Sequence, residues 1–207
     1  TTEICTLMEL RRELEAKGHT FHCGADTEVL IHGYEEYGTE LIYRLRGMFA
    51  FVLWDAKNKR MFGARDIFGI KPFYYYPVPD GSGLVFGSEI KAFLEHPKFV
   101  KAVNENALRP YLTLQYSATE ETFFKGVYKL PAAHCFVYEN GRMDIRRYWD
   151  CKFDPQPQNF EACADKLDEV VHESVAAHRI ADVKVGSFLS GGVDSSYIAA
   201  VLMPDTT

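Results

Sequence analysis

The chain has 207 residues, of which 47% are hydrophobic and 25% charged, and a net charge of −6 from 23 Lys+Arg against 29 Asp+Glu. At about 150 residues per domain, that length holds one large domain, or one domain plus part of another. The composition excludes a disordered or collagen-like chain, and the mild acidity speaks against a general nucleic-acid binder while leaving room for a local basic site for a small anion.

In chain order, Thr6-Leu-Met-Glu9 reads as a capping box opening a helix with Leu7, Leu10 and Leu14 as its apolar stripe and Gly18 as its end. A second helix is predicted over 27–37, closed by Gly38. The period then changes: Met48 to Asp55 is apolar on both faces and predicts a strand buried between layers. Lys57-Asn58-Lys59 turns into a strand over 60–64. Strands over 73–78 and 84–86 flank the turn residues Pro79-Asp80-Gly81-Ser82-Gly83, and a short helix is expected over 89–94. Between 97 and 128 the pattern predicts a helix near 105–114 and a long surface loop. Strands over 134–138 and 143–148 pair across Glu139-Asn140-Gly141. Asp154 to Gln158 reads as a linker. A long amphipathic helix follows over 160–180, with Cys163, Leu167, Val170, Val171, Ser174 and Val175 as its stripe. A strand over 183–189, a glycine turn and a helix over 196–202 complete the pattern. Residues 1–152 therefore read as an α+β domain, and 159–207 as the opening of an α/β domain.

Five cysteines (Cys5, Cys23, Cys135, Cys151, Cys163) are scattered, form no Cys-x-x-Cys pair, and read as small buried side chains in a reducing, cytoplasmic compartment. The longest apolar run, Met48 to Trp54, is too short to span a bilayer, and no signal peptide is recognisable, so no membrane partner is expected. The chain starts without methionine and stops soon after its strongest motif, which reads as an interior piece of a longer protein. His19, His22 and Cys23 lie close together and raise a metal site, but no fourth ligand is evident beside them. Lys71 before Pro72 reads as structural, with ligand contact as the alternative.

The sharpest signal is Phe188-Leu189-Ser190-Gly191-Gly192-Val193-Asp194-Ser195-Ser196. Two glycines after an apolar segment let the backbone approach an anion closely. Ser190, Ser195 and Ser196 can donate hydrogen bonds, and the helix that follows points its N-terminal N–H groups at the same place. Asp194 would be repelled by bare phosphate, so its presence implies a magnesium ion or a backbone contact. The structural alternative is a strand-to-helix turn rich in small residues. No lysine follows the glycines, so this is not the G-x-x-x-x-G-K-[ST] loop.

The wording Ser-Gly-Gly-x-Asp-Ser resembles the pyrophosphate loop of the ATP pyrophosphatases, and its extended form, preceded by Asp182-Val-Lys-Val-Gly186, resembles the glutamine-dependent asparagine synthetases. Upstream motifs are similar to the glutaminase domain of the same family: Glu3-Ile4, Gly24-Ala25-Asp26-Thr27-Glu28-Val29, Leu45-Arg46-Gly47-Met48-Phe49, Arg65-Asp66 with Gly69-Ile70-Lys71-Pro72, and Ser88-Glu89-Ile90-Lys91-Ala92. The resemblance implies an N-terminal-nucleophile hydrolase, an αββα sandwich truncated at its start, followed by the start of an α/β ATP-pyrophosphatase domain. It implies Glu3 and Asp26 as ligands of the glutamine ammonium group. It implies Leu189, Ser190, Gly191, Gly192, Asp194 and Ser195 as the ATP and pyrophosphate site, with Asp194 toward Mg2+. Glutamine, aspartate and ATP are the implied substrates, asparagine the product through β-aspartyl-AMP, and a homodimer of the full-length protein is compatible with it.

The chain also departs from that pattern. The oxyanion-hole asparagine and glycine positions are Thr1 and Thr2, Ile67 stands where the family carries an arginine, and no cysteine aligns with the N-terminal nucleophile. Losing one oxyanion donor costs about 2.7–4 kcal/mol of transition-state stabilisation. No glutaminase turnover and little ATP cleavage are therefore expected of this chain by itself. Two alternatives stand beside the synthetase reading: a relative that adenylates another carboxylate, such as a β-lactam synthetase or an exopolysaccharide-cluster amidotransferase, and a non-catalytic piece that only binds or packs.

Overall fold

The computed structural model describes residues 2–179 and 184–203, apart from the side chain of Thr2, and divides into two compact units, 1–151 and 152–207. In the first unit, β1 (Thr2–Ile4), β2 (Gly47–Asp55), β3 (Arg60–Arg65), β7 (His134–Glu139) and β8 (Arg142–Arg147) form an antiparallel sheet in the order β1-β2-β3-β7-β8. A second antiparallel sheet has the order β5-β4-β6, from β4 (Tyr74–Pro77), β5 (Leu84–Gly87) and β6 (Tyr128–Lys129).

The period of two in β2 sets the layers. Phe49 and Phe51 face one way, into a core with Leu10 and Leu14 of α1 (Leu7–Ala16), Val29 and Leu30 of α2 (Asp26–Tyr37), and Leu41 and Ile42 of the 3-10 helix Gly38–Arg44. Ala50 faces the other way. With Phe136 of β7 it meets Tyr75 of β4, Phe73 and Leu130, so that the two sheets pack face to face. Tyr76 of β4 packs beyond the second sheet against Phe93, Phe99 and Val127, where the 3-10 helix Ile90–Phe93 forms the outer layer. Helices, sheet, sheet and a thin helical layer are the αββα sandwich that the resemblance implies. The chain between β5 and β6 carries α3 (Glu105–Leu114). The β7–β8 hairpin turns at Asn140 and Gly141, with φ of 50° and 76°, the sign a two-residue primed turn requires.

Several local expectations give way to tertiary partners. Thr6 does precede α1, but its hydroxyl donates to Arg44 O (3.1 Å) and accepts from Arg46 N (3.2 Å), so no capping box closes. The segment 89–94 shortens to the 3-10 turn over Ile90–Phe93. Of the cysteines, Cys135 is buried and Cys5 half-buried, whereas Cys23, Cys151 and Cys163 are exposed, contrary to the buried reading.

The second unit contains α4 (Phe160–His178) and α5 (Val193–Leu202), which pack on one another; Tyr197 OH donates to the Asp168 carboxylate. The expected strand over 183–189 is a correction: 184–189 form no strand, because no other strand lies in this unit among the described residues to complete a ladder. Ile180, Asp182 and Val183 lie outside the described residues. No residue of α4 is buried, and Leu167 and Val170 of its predicted stripe are exposed. The last helix starts at Val193, three residues before the predicted Ser196, because Gly192 serves as its N-cap.

Candidate functional site

Glu3 stands on β1, in register with Met48 of β2. Its carboxylate receives Lys71 Nζ at 2.5 Å. Lys71 comes from the turn after β3, which is organised by its neighbours Arg65 and Asp66. Asp66 is fully buried. Its carboxylate accepts from the backbone N–H groups of Phe49 (3.3 Å), Phe68 (3.1 Å), Ile70 (2.9 Å) and Lys71 (3.0 Å). The Arg65 guanidinium donates to the carbonyls of Lys71 (2.8 Å), Leu130 (2.7 Å) and Gly69 (2.6 Å). Burial pushes the Arg65 pKa below its ordinary value, and the Asp66 charge opposes that shift. The main chain of Lys71 is thus gripped at its N–H by a carboxylate and at its C=O by a guanidinium. Its side chain ends on Glu3.

Asp26 is the first residue of α2, partly exposed, on a helix that packs against β1. The described hydrogen bonds tie Glu3 to Lys71 and none ties it to Asp26. The loop leading into Asp26 is held by Glu28, which the sequence motif contains but to which no role was given. Its carboxylate accepts from the Cys23 thiol (3.0 Å), His22 N (2.7 Å) and Cys23 N (2.8 Å), and these bonds, the thiol first, draw its pKa down to about 2. Lys71, read from sequence as structural with ligand contact as the alternative, is the partner that the spacing of Arg65-Asp66 to Gly69-Ile70-Lys71 could have revealed. Thr1 lies outside the described residues, and Thr2 pairs through its backbone with Phe49.

A cavity of about 470 Å³ opens where α2, β2 and the second sheet meet, lined by Leu30, Ile31, Phe51, Leu53, Phe73 and Phe86 among others. It has no ionisable lining residue and so does not suit a zwitterionic amino acid.

In the second unit, Ser190-Gly191-Gly192 leads directly into α5. Gly191 has φ +82°, which lets the chain fold back on itself. Ser195 Oγ lies 3.0 Å from Ser190 Oγ, accepts from Ser190 N at 3.3 Å and donates to Gly192 O at 3.1 Å. Ser196 N makes the first helical bond, to Gly192 O, so the N–H groups of Val193, Asp194 and Ser195 have no acceptor within the helix. Ser190, Ser195, Gly191, Gly192 and the first-turn Asp194 are therefore brought together around an exposed helix start, and Leu189 precedes them with two thirds of its surface exposed. A cleft of about 530 Å³ opens beside it, lined by Arg179, Gly186, Ser187, Leu189, Ala199 and Leu202 among others.

Comparison with known proteins fits this division. Residues 1–149 match the glutamine amidotransferase domain family, and residues 166–207 match asparagine synthase. Asparagine synthetase [glutamine-hydrolyzing] 3 of Bacillus subtilis (strain 168) is 38% identical over 96% of this chain and 32% of its own length. The putative asparagine synthetase [glutamine-hydrolyzing] of Mycobacterium tuberculosis (strain ATCC 25618 / H37Rv) is 40% identical over 96% of this chain and 32% of its own. The chain thus spans about a third of the length of these curated relatives. A solved glutamine phosphoribosylpyrophosphate amidotransferase from B. subtilis aligns with 18% identity and a TM-score of 0.49 over 70% of this chain and 27% of its own. With the two-sheet unit matched over residues 1–149 and the glycine turn lying inside the second match, the chain belongs to the glutamine amidotransferase domain family and carries an asparagine synthase segment after that domain.

Proposed function

We propose that this chain serves a glutamine-dependent asparagine synthetase, its first unit in glutamine handling and its second in ATP activation of aspartate. The observation that carries the reading is the succession, in one chain, of the amidotransferase unit and a glycine turn whose two hydroxyls converge at a helix start. Glu3 and Asp26 receive the ammonium group of glutamine, two carboxylates for one cation. Lys71 occupies one oxygen of Glu3 and leaves the other for that ammonium. In the full-length protein a cysteine thiol, which none of the five cysteines of this chain supplies, attacks the glutamine amide carbon; the C–N bond breaks, ammonia leaves, and water hydrolyses the thioester to glutamate. At the second unit the β-carboxylate of aspartate attacks the α-phosphorus of ATP, and pyrophosphate leaves toward Ser190, Gly191, Gly192 and Ser195. Ammonia then attacks the acyl carbon of β-aspartyl-AMP and AMP departs. Exclusion of water along the route keeps ammonia from protonation.

The donor set at the turn, two serine hydroxyls and three helix-start N–H groups, suits a phosphate group. Asp194 in the first turn supplies the hard oxygen ligand that Mg2+ takes. When bound, Mg2+ neutralises phosphate charge. Cysteines without disulfides fit a cytoplasmic setting, and no helix among the described residues is long and apolar enough to cross a membrane. A homodimer of the full-length protein, with no nucleic-acid partner, belongs to the same reading.

The test is ATP–pyrophosphate exchange by the full-length protein. Exchange that requires aspartate supports the reading. Exchange driven by another carboxylic acid, or none at all, overturns it.

A further inference from the structure

The trio His19, His22 and Cys23, adjacent in sequence, is separated in the fold. His22 and Cys23 turn to Glu28, while His19 joins a different group on α2. One ligand atom each from His19, His32 and Glu35 lies within 4.8 Å of the other two. Glu35 Oε2 is 2.8 Å from His32 Nδ1 and 3.7 Å from His19 Nδ1. Ligands of a tetrahedral ion with bonds of 2.0–2.1 Å are about 3.3 Å apart, a value these two separations bracket.

The scaffold around these atoms is built. Gly18 N donates to Glu15 O (3.0 Å) and His19 N to Leu14 O (3.1 Å), the two bonds of a Schellman ending on α1. Leu14 is fully buried, so His19 leaves a fixed point of the core. His32 and Glu35 are three residues apart on α2, hence on one face. The rings of His19 and His32 are 5.0 Å apart, and Phe21 meets His32 edge-on at 4.8 Å. Both imidazoles are half-buried and Glu35 is exposed, leaving the fourth direction open to water; Glu28 lies 4.0 Å from the other ring nitrogen, His32 Nε2, and its carboxylate is taken by His22 N, Cys23 N and the Cys23 thiol, so it is not counted as a ligand. Glu36, although near His19, is engaged by Lys17 Nζ at 2.6 Å and is not counted as a ligand.

We infer that His19, His32 and Glu35 form a binding site for a divalent transition-metal ion of the zinc class, bridging the end of α1 to α2. Two imidazoles and one carboxylate are the donors such an ion takes. Closing the site pins the α1–α2 connection, which includes the loop that carries Asp26 into place. It involves none of the residues assigned to glutamine or ATP, so it stands or falls apart from the reading above.

The test is calorimetric titration of the reduced chain with Zn2+ alone. One saturable site is expected, weakened at least about tenfold by His32→Ala and by Glu35→Gln, and unchanged by Cys23→Ser and by His172→Ala on α4. No saturable binding, or equal affinity in all four variants, overturns the site. If a variant fails to fold, the unmodified chain decides by nitrogen NMR of its imidazoles. Movement of the His19 and His32 resonances with one equivalent of Zn2+ supports the site, and unmoved resonances overturn it.

Discussion

Lys71 Nζ lies 2.5 Å from Glu3 Oε1, across 68 residues of sequence, and so ties the turn after β3 to the short first strand. Lys71 is about one-fifth exposed and Glu3 more than half, so this is a partly solvated pair. Such pairs contribute about 0–1 kcal/mol. A double-mutant cycle of Glu3→Gln and Lys71→Met by urea unfolding is expected to return a coupling of under about 1 kcal/mol. Its worth lies in orienting the Glu3 carboxylate rather than in holding the fold.

Asp66 should behave in the opposite way. It is buried and accepts four backbone N–H groups, one of them buried and three part-buried, and its removal leaves all four without that acceptor. Asp66→Ala is expected to cost about 3 kcal/mol or more, seen as a large fall in the urea midpoint. A change of under 1 kcal/mol would show that the turn is organised by other contacts.

Gly47 marks the approach of β1 to β2. It has φ +144°, and a Cβ there would press on the Glu3 carbonyl, as well as on Cys5 N and Ile4 Cα, both at 2.9 Å. Gly47→Ala is therefore expected to destabilise by roughly 2 kcal/mol and to displace Glu3. Amide chemical-shift changes concentrated in residues 2–5 would report the displacement, and shifts confined to β3 would contradict it.

Glu28 predicts an acid limb of stability. Its folded-state pKa, about 2, lies below the ordinary value of 4.5 because the Cys23 thiol and two backbone N–H groups bind the charged form. The carboxylate therefore favours the folded state above pH 4.5, and that contribution is lost as pH falls toward 2. The melting temperature of the unmodified chain should exceed that of Glu28→Gln at pH 6, and the gap should narrow steadily between pH 4.5 and 2. A gap independent of pH would assign the effect to packing.

Much of the first unit was legible in its residues. Alternating Phe49, Ala50 and Phe51 announced a strand covered on both faces, and Asn140-Gly141 announced the turn between β7 and β8, because period and turn chemistry act over a few residues. The second unit was less legible. The segment 184–189 has strand-like residues but, among the described residues of this unit, no neighbour to pair with, and a ladder is a property of two segments. Thr6 shows the same limit in miniature: its cap signature is sound, but a carbonyl 38 residues away takes the hydroxyl.

By itself the sequence determined the order of the elements, the family of the first 149 residues and the small-residue turn at Ser190-Gly191-Gly192, all written in local patterns of side-chain size, period and backbone freedom. Only the tertiary structure decided that Lys71 meets Glu3, that Glu28 holds the loop before Asp26, and that His19 leaves its sequence neighbours for His32 and Glu35. The reason is that the Lys71–Glu3 and His19–His32–Glu35 contacts depend on how distant segments are brought side by side by the burial of Leu14, Phe49 and Phe62, whereas Glu28 reaches only five and six residues back, in a loop whose path no periodic pattern encodes.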